Sequence, residues 1–201
     1  MIKVFIVHGF MASAESNWSP LLRDKLSSLG YEVHLLAMPQ PNYPRQKKWL
    51  EKLREHVVSP DEDTILIGHS LGGVVTLRYL ESLVDTQKIE HAIIVSGAHR
   101  KVFDYSIEMI MDFLITSNFF TKKTNFEEIK KHANKFTVIY GSDDPVVPPV
   151  QGAEISEGLG VTPHIIEDGG HLCEDSGKAK YTELIKIIVD SVQKNERNNL
   201  G

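Results

Sequence analysis

Short apolar runs alternate along this chain with longer segments in which apolar residues recur every three or four positions. Six of the runs are mostly β-branched or aromatic and are bounded by Gly, Pro or polar residues: Lys3–Val7, Glu32–Leu36, Thr64–Ile67, His91–Val95, Phe136–Tyr140 and Thr162–Ile166. These predict strands. Between them, Trp18–Leu29 repeats Trp18, Leu21, Leu22, Leu26 and Leu29 and stops at Gly30. Arg45–Val58 carries Trp49, Leu50, Leu53, Val57 and Val58, and Lys180–Val192 carries Leu184, Ile185, Ile188 and Val192. That spacing gathers the apolar side chains on one face of a helix. A further helical pattern, Leu71–Val84, follows the third strand directly. Alternating strands and helices predict a three-layer α/β/α sandwich around a mostly parallel sheet of about six strands.

The predicted organisation is a single domain over residues 1–193, followed by a polar tail at 194–201. Residues 99–135 are longer than one crossover helix needs, with an apolar cluster at Ile107–Phe120 and a helical pattern at Asn125–Ala133. A partial cap and an ordinary long crossover fit this stretch equally well. No run approaches the roughly 20 apolar residues of a membrane span.

Composition narrows the function classes. The chain has 201 residues, 41% of them hydrophobic, which is enough for a substantial core. A formal charge of −5 gives no field for nucleic acid or for an anionic membrane. Lysine doublets such as Lys47-Lys48 and Lys130-Lys131 read as solvated faces. The single cysteine, Cys173, excludes an intramolecular disulfide and fits a reducing compartment. The N-terminus shows no signal-peptide pattern, so a cytoplasmic location is expected. Nothing in the sequence assigns an oligomeric state.

The chemistry concentrates around Gly68-His69-Ser70-Leu71-Gly72, between the apolar run ending at Ile67 and the helical run beginning at Val74. A serine flanked by glycines at a strand-to-helix junction is the nucleophile elbow. The turn is sharp enough to crowd side chains two residues before and after the serine, hence the glycines. A serine hydroxyl needs an adjacent base, itself oriented by a third group. In this topology the order is serine, acid, histidine. Downstream lie Gly141-Ser142-Asp143-Asp144-Pro145 after one predicted strand and Glu167-Asp168-Gly169-Gly170-His171 after the next. The predicted triad is Ser70, Asp144 and His171. Asp144 precedes Pro145, which drives it toward an extended conformation; Asp143 is expected to cap its own loop amides as an Asx turn.

After the first strand, His8-Gly9-Phe10-Met11 occupies the place of an oxyanion loop, which assigns the oxyanion donors to the Phe10 and Leu71 N–H groups. His8, Met11, Trp18 and His69 are candidates to line the pocket. His8, His69, His99 and His164 are not spaced as metal ligands, and no metal or organic cofactor is implied.

These residues resemble the α/β-hydrolase superfamily over nearly the whole chain. More narrowly they resemble the small serine hydrolases related to retinoblastoma-binding protein 9 and its bacterial counterparts. The narrower similarity rests on His8-Gly9-Phe10 with Asn17-Trp18, Met38-Pro39-Gln40-Pro41, Gly68-His69-Ser70, Val95-Ser96-Gly97, the Gly141–Pro148 stretch and Gly169-Gly170-His171. The resemblance implies a minimal α/β-hydrolase fold with little or no cap and carboxylesterase-like activity. The expected reaction is cleavage of a small-molecule ester or thioester of small to medium acyl groups. A peptidase or acyl-protein thioesterase on the same scaffold, or a non-enzymatic interaction module that keeps the fold, are the alternatives.

Overall fold

The computed structural model describes residues 1–101 and 115–198. Six strands form one sheet in the order β2-β1-β3-β4-β5-β6, and every neighbouring pair is parallel. The strands are β1 Lys3–Val7, β2 Glu32–Leu36, β3 Thr64–His69, β4 Ile89–Val95, β5 Ala133–Gly141 and β6 His164–Ile166. The helices are α1 Ser19–Ser28, α2 Gln46–His56, α3 Leu71–Leu80, a single turn α4 Phe126–Ile129, α5 Pro149–Leu159 and α6 Gly177–Asn198.

Strand alternation sends successive side chains to opposite faces. Val4, Ile6, Ile65, Ile67 and Ile93 pack with Trp18, Leu22 and Leu26 of the α1 region and with Leu184 and Ile188 of α6. Phe5, Val7, Leu66 and Ile94 pack instead with Trp49 and Leu53 of α2, Val75 of α3 and Ile155 of α5. The sheet is thus covered on both sides, which gives the expected three layers. Both faces of β3 are buried, and its unbroken apolar run follows from that position.

The structure departs from expectation at several element ends. β6 starts at His164 because Pro163 has no N–H for the ladder. β3 runs two residues past Ile67, delivering the chain directly to Ser70. α6 continues through Asn198, into the predicted polar tail, where Lys, Glu and Arg are good helix formers. Helix α5 has no counterpart in the sequence pattern.

Of the apolar cluster at Ile107–Phe120, residues 107–114 lie outside the described residues. Its end is a 3₁₀ turn, Ser117–Phe120, docked on α2. The Gln46 N–H donates to Asn118 Oδ1 at 2.6 Å, and Gln46 Nε2 donates to the Phe119 carbonyl at 2.9 Å. Phe119 is fully buried, edge-on to Trp49. Among the described residues, no helix is long and apolar enough to cross a membrane.

Candidate active site

The C-terminal ends of β1, β3, β4 and β5, with the loop after β6, meet at one edge of the sheet, where ligand-facing groups sit in open α/β sheets. Ser70 occupies the junction of β3 and α3 with φ 54° and ψ −119°, a conformation a non-glycine residue adopts only under constraint. The constraint is packing on both sides. A Cβ on Gly72 would lie 2.2 Å from the Val7 carbonyl oxygen, and one on Gly68 would lie 2.5 Å from that of Gly72. The Ser70 N–H is held by the Val95 carbonyl at 2.9 Å.

Asp144 and His171 are brought together as predicted. Nδ1 of His171 lies 2.9 and 3.0 Å from the two carboxylate oxygens. The carboxylate accepts, so Nδ1 carries a proton, and in the neutral ring that tautomer puts the lone pair on Nε2. Asp144 is buried, and its Oδ1 also accepts from the Val146 and Val147 amides at 2.9 Å each. The Asx-type turn therefore belongs to Asp144, correcting the expectation for Asp143. Asp143 reaches across instead: its Oδ1 accepts the Gly170 N–H at 2.8 Å, fixing the histidine loop from outside.

The link between nucleophile and base is not closed. Among the described residues, the Ser70 hydroxyl makes no hydrogen bond, His171 included. Such contacts are frequently long in unliganded enzymes and tighten with substrate. The oxyanion loop lies against the serine: a Cβ on Gly9 would sit 2.9 Å from Ser70 Cβ. Among the described residues, neither the Phe10 nor the Leu71 N–H has an acceptor, and the Leu71 amide stands at the positive end of α3.

Three of the four pocket-lining candidates have other work. His8 is buried; its Nδ1 donates to the Gly9 carbonyl at 2.8 Å and its Nε2 accepts the Met38 N–H at 3.1 Å. It is a neutral clamp beneath the oxyanion loop, and burial lowers its pKa. His69 is buried and donates from Nε2 to the His171 carbonyl at 3.0 Å. Burial, reinforced by the neighbouring His171, pushes its pKa down to about 3, so it stays neutral. Trp18 is fully buried; its indole stands edge-on to His69 and donates to the Leu172 carbonyl at 2.9 Å. These groups support the site from below because large rings in this layer fill core volume. Met11 alone is exposed, at 65%, on the loop beside Phe10.

Sequence reasoning missed the anchoring of the segment after His171. Besides Trp18, Asn17 Oδ1 accepts the Glu174 N–H at 3.0 Å. Asn17 itself sits at φ 59°, and the sequence assigns it no role beyond its place in the family resemblance. The histidine loop is tightly wound, with positive φ at Asp168, Gly170 and Leu172. A Cβ on Gly141 would fall 2.2 Å from the Gly170 carbonyl oxygen, so the two loops touch through backbone.

A family model described as serine hydrolase matches residues 4–190. The chain belongs to this serine hydrolase family. The protein YdeN of Bacillus subtilis (strain 168) is 29% identical to this serine hydrolase over 195 residues, 97% of this chain and 98% of that protein. The serine hydrolase RBBP9 of Rattus norvegicus is 26% identical over 176 residues, covering 87% and 86% of the two chains. The crystal structure of the ydeN gene product has a TM-score of 0.85 to this chain, at 26% identity, covering 96% of this chain and all 100% of that one. A meta-cleavage product hydrolase from Pseudomonas fluorescens IP01 has a TM-score of 0.71 at 15% identity, covering 97% and 92%; at that distance the likeness is one of fold.

Proposed function

We propose that this serine hydrolase cleaves esters or thioesters of small to medium acyl groups through Ser70, His171 and Asp144. The observation that carries the reading is the pairing of a buried Asp144 with Nδ1 of His171, on the same sheet edge as a serine held at positive φ. In the first half-reaction Ser70 Oγ attacks the acyl carbonyl carbon and His171 Nε2 takes its proton. The oxyanion is held by the Phe10 and Leu71 N–H groups, each donor of this kind contributing roughly 10²–10³ in kcat. Collapse breaks the bond to the leaving group, which departs as alcohol or thiol with the proton from His171. Water, deprotonated by the same nitrogen, then attacks the acyl-serine; the acyl–Oγ bond breaks, Ser70 Oγ takes the proton back from His171, and the acid is released. Asp144 keeps Nδ1 protonated and balances the imidazolium. His69, neutral and bonded to the His171 backbone, keeps a second positive charge away from that imidazolium.

The test is a parallel assay of p-nitrophenyl acetate and butyrate, the matching acyl thioesters and the matching anilides, in wild type and Ser70→Ala. Ester and thioester turnover well above anilide turnover, lost in Ser70→Ala, is the expected result. Anilides hydrolysed as fast as esters would make the enzyme a peptidase. Ester turnover retained in Ser70→Ala would move the nucleophile elsewhere.

A further inference from the structure

At the opposite edge of the sheet, where β4 and β5 begin, Asp85, Glu128 and His132 converge, with one potential ligand atom from each within 4.8 Å of the others. They come from two pieces of chain: the loop after α3 carries Asp85, and the continuous stretch of α4 and the 3₁₀ turn Lys130–His132 that leads into β5 carries Glu128 and His132. The nine residues of β5 put about 30 Å of strand between this cluster and the Asp144 end.

His132 is fully buried, and its Nδ1 lies 2.8 Å from the Gln87 carbonyl oxygen. A carbonyl only accepts, so Nδ1 carries a proton. Nε2 faces Glu128 Oε1 at 3.2 Å. A nitrogen lone pair and a carboxylate oxygen repel at that distance unless a positive centre lies between them, either a second ring proton or a cation. A ring nitrogen donating to a carbonyl while the other faces a carboxylate cluster is the arrangement of metal-binding histidines. The other oxygen of Glu128 is taken by Lys131 Nζ at 2.8 Å, which leaves Oε1 for the histidine side. Lys131 is also the cation that interacts with Asp85. Two carboxylates thus face one lysine charge and an imidazole, leaving the cluster negative when the ring is neutral.

We propose that Asp85, Glu128 and His132 form a binding site for a divalent cation of borderline softness, with Zn²⁺ as the best fit. One imidazole and two carboxylates suit Zn²⁺, whereas Mg²⁺ and Ca²⁺ favour oxygen donors throughout. The exposed Asp85 closes inward to reach ligand distances, and water completes a tetrahedron. The bound ion ties the α3–β4 loop to the entry of β5, so its effect is on stability.

The experiment is calorimetric titration of the EDTA-treated full chain with Zn²⁺, alongside thermal melting, in wild type, Asp85→Asn and Glu128→Gln. Wild type is expected to bind one Zn²⁺ per chain and to gain Tm. Both variants should bind at least about tenfold more weakly, as when groups of a metal site are lost. Asp85 is exposed, so Asp85→Asn should leave the metal-free Tm in place. Co²⁺ in place of Zn²⁺ should give tetrahedral d–d bands in wild type that Asp85→Asn lacks. Absence of saturable binding would overturn the site and make His132–Glu128 an ion pair with a doubly protonated ring. Equal binding by wild type and both variants would overturn it too, by placing the ion on other residues.

Discussion

Asp144 and Asp143 are neighbours with opposite assignments, and the reason is the proline that follows them. Pro145 disfavours the helical region for Asp144, and the Asp144 carboxylate points inward, where two loop amides and Nδ1 of His171 share it. Asp143 stays at the surface and accepts the Gly170 N–H. Asp144→Asn should therefore lower kcat by up to roughly 10⁴-fold, through loss of tautomer control and of balancing charge on the imidazolium. Asp143→Ala should cost about 1 kcal/mol of stability, the scale of one hydrogen bond. Its kcat should stay within about tenfold of wild type, because His171 keeps its carboxylate. Steady-state kinetics and urea melts of both variants decide it; a severe kcat loss in Asp143→Ala with near-normal Asp144→Asn would reverse the two roles.

At the scale of elements, what the sequence reveals depends on how local the cause is. β1 and β2 are found to the residue because a strand's alternation lies within its own five positions. The elbow, the acid and the histidine are visible as short motifs at three strand ends. Helix α5 is invisible because Pro148-Pro149 and two glycines, Gly152 and Gly158, argue against helix. In the structure Pro149 stands at the helix start, where proline is tolerated, and each glycine makes room for a ring from elsewhere. A Cβ at Gly152 would meet Tyr140 at 2.1 Å, and one at Gly158 would meet Phe126 at 2.4 Å. Likewise the contact of Trp18 with Leu172 joins residues 154 apart in sequence, and no local pattern encodes it. Gly72 illustrates the same point for stability, since its Cβ would strike the backbone oxygens of Val7 and His8 at 2.2 and 2.7 Å. Gly72→Ala should consequently separate α3 from β1 and cost about 3 kcal/mol or more, the upper range for overpacking. Circular dichroism melts report this directly, and an unchanged Tm would mean that the junction yields.

Across the whole molecule, three buried histidines set the response to acid. His8 is lowered by burial, His69 lies at about 3 through burial and then its neighbour His171, and His91 lies at about 3 through burial and then Lys135. In the unfolded chain each titrates near pH ~6.5. Between those values the unfolded state binds protons that the folded state refuses, so stability rises with pH. The contribution is intact above pH ~6.5 and is lost as pH falls toward the folded values. Each histidine should add a slope of up to about 1.4 kcal/mol per pH unit within that window. The carboxylates lowered by their partners, Glu154 foremost at about 2 through Arg100 and His99, add their loss only at more acidic pH. Urea melts between pH 7 and 5 should accordingly show falling stability on acidification, with His91→Phe flattening the slope. A flat profile in wild type would mean that these rings are protonated when folded.

The central claim, that Ser70 is the nucleophile of a hydrolase triad, is tested most directly by a fluorophosphonate probe followed by mass mapping of the labelled peptide. A single adduct on Ser70 is expected, absent in Ser70→Ala and strongly slowed in Asp144→Asn. An adduct on any other residue, or undiminished labelling of Ser70→Ala, would contradict it.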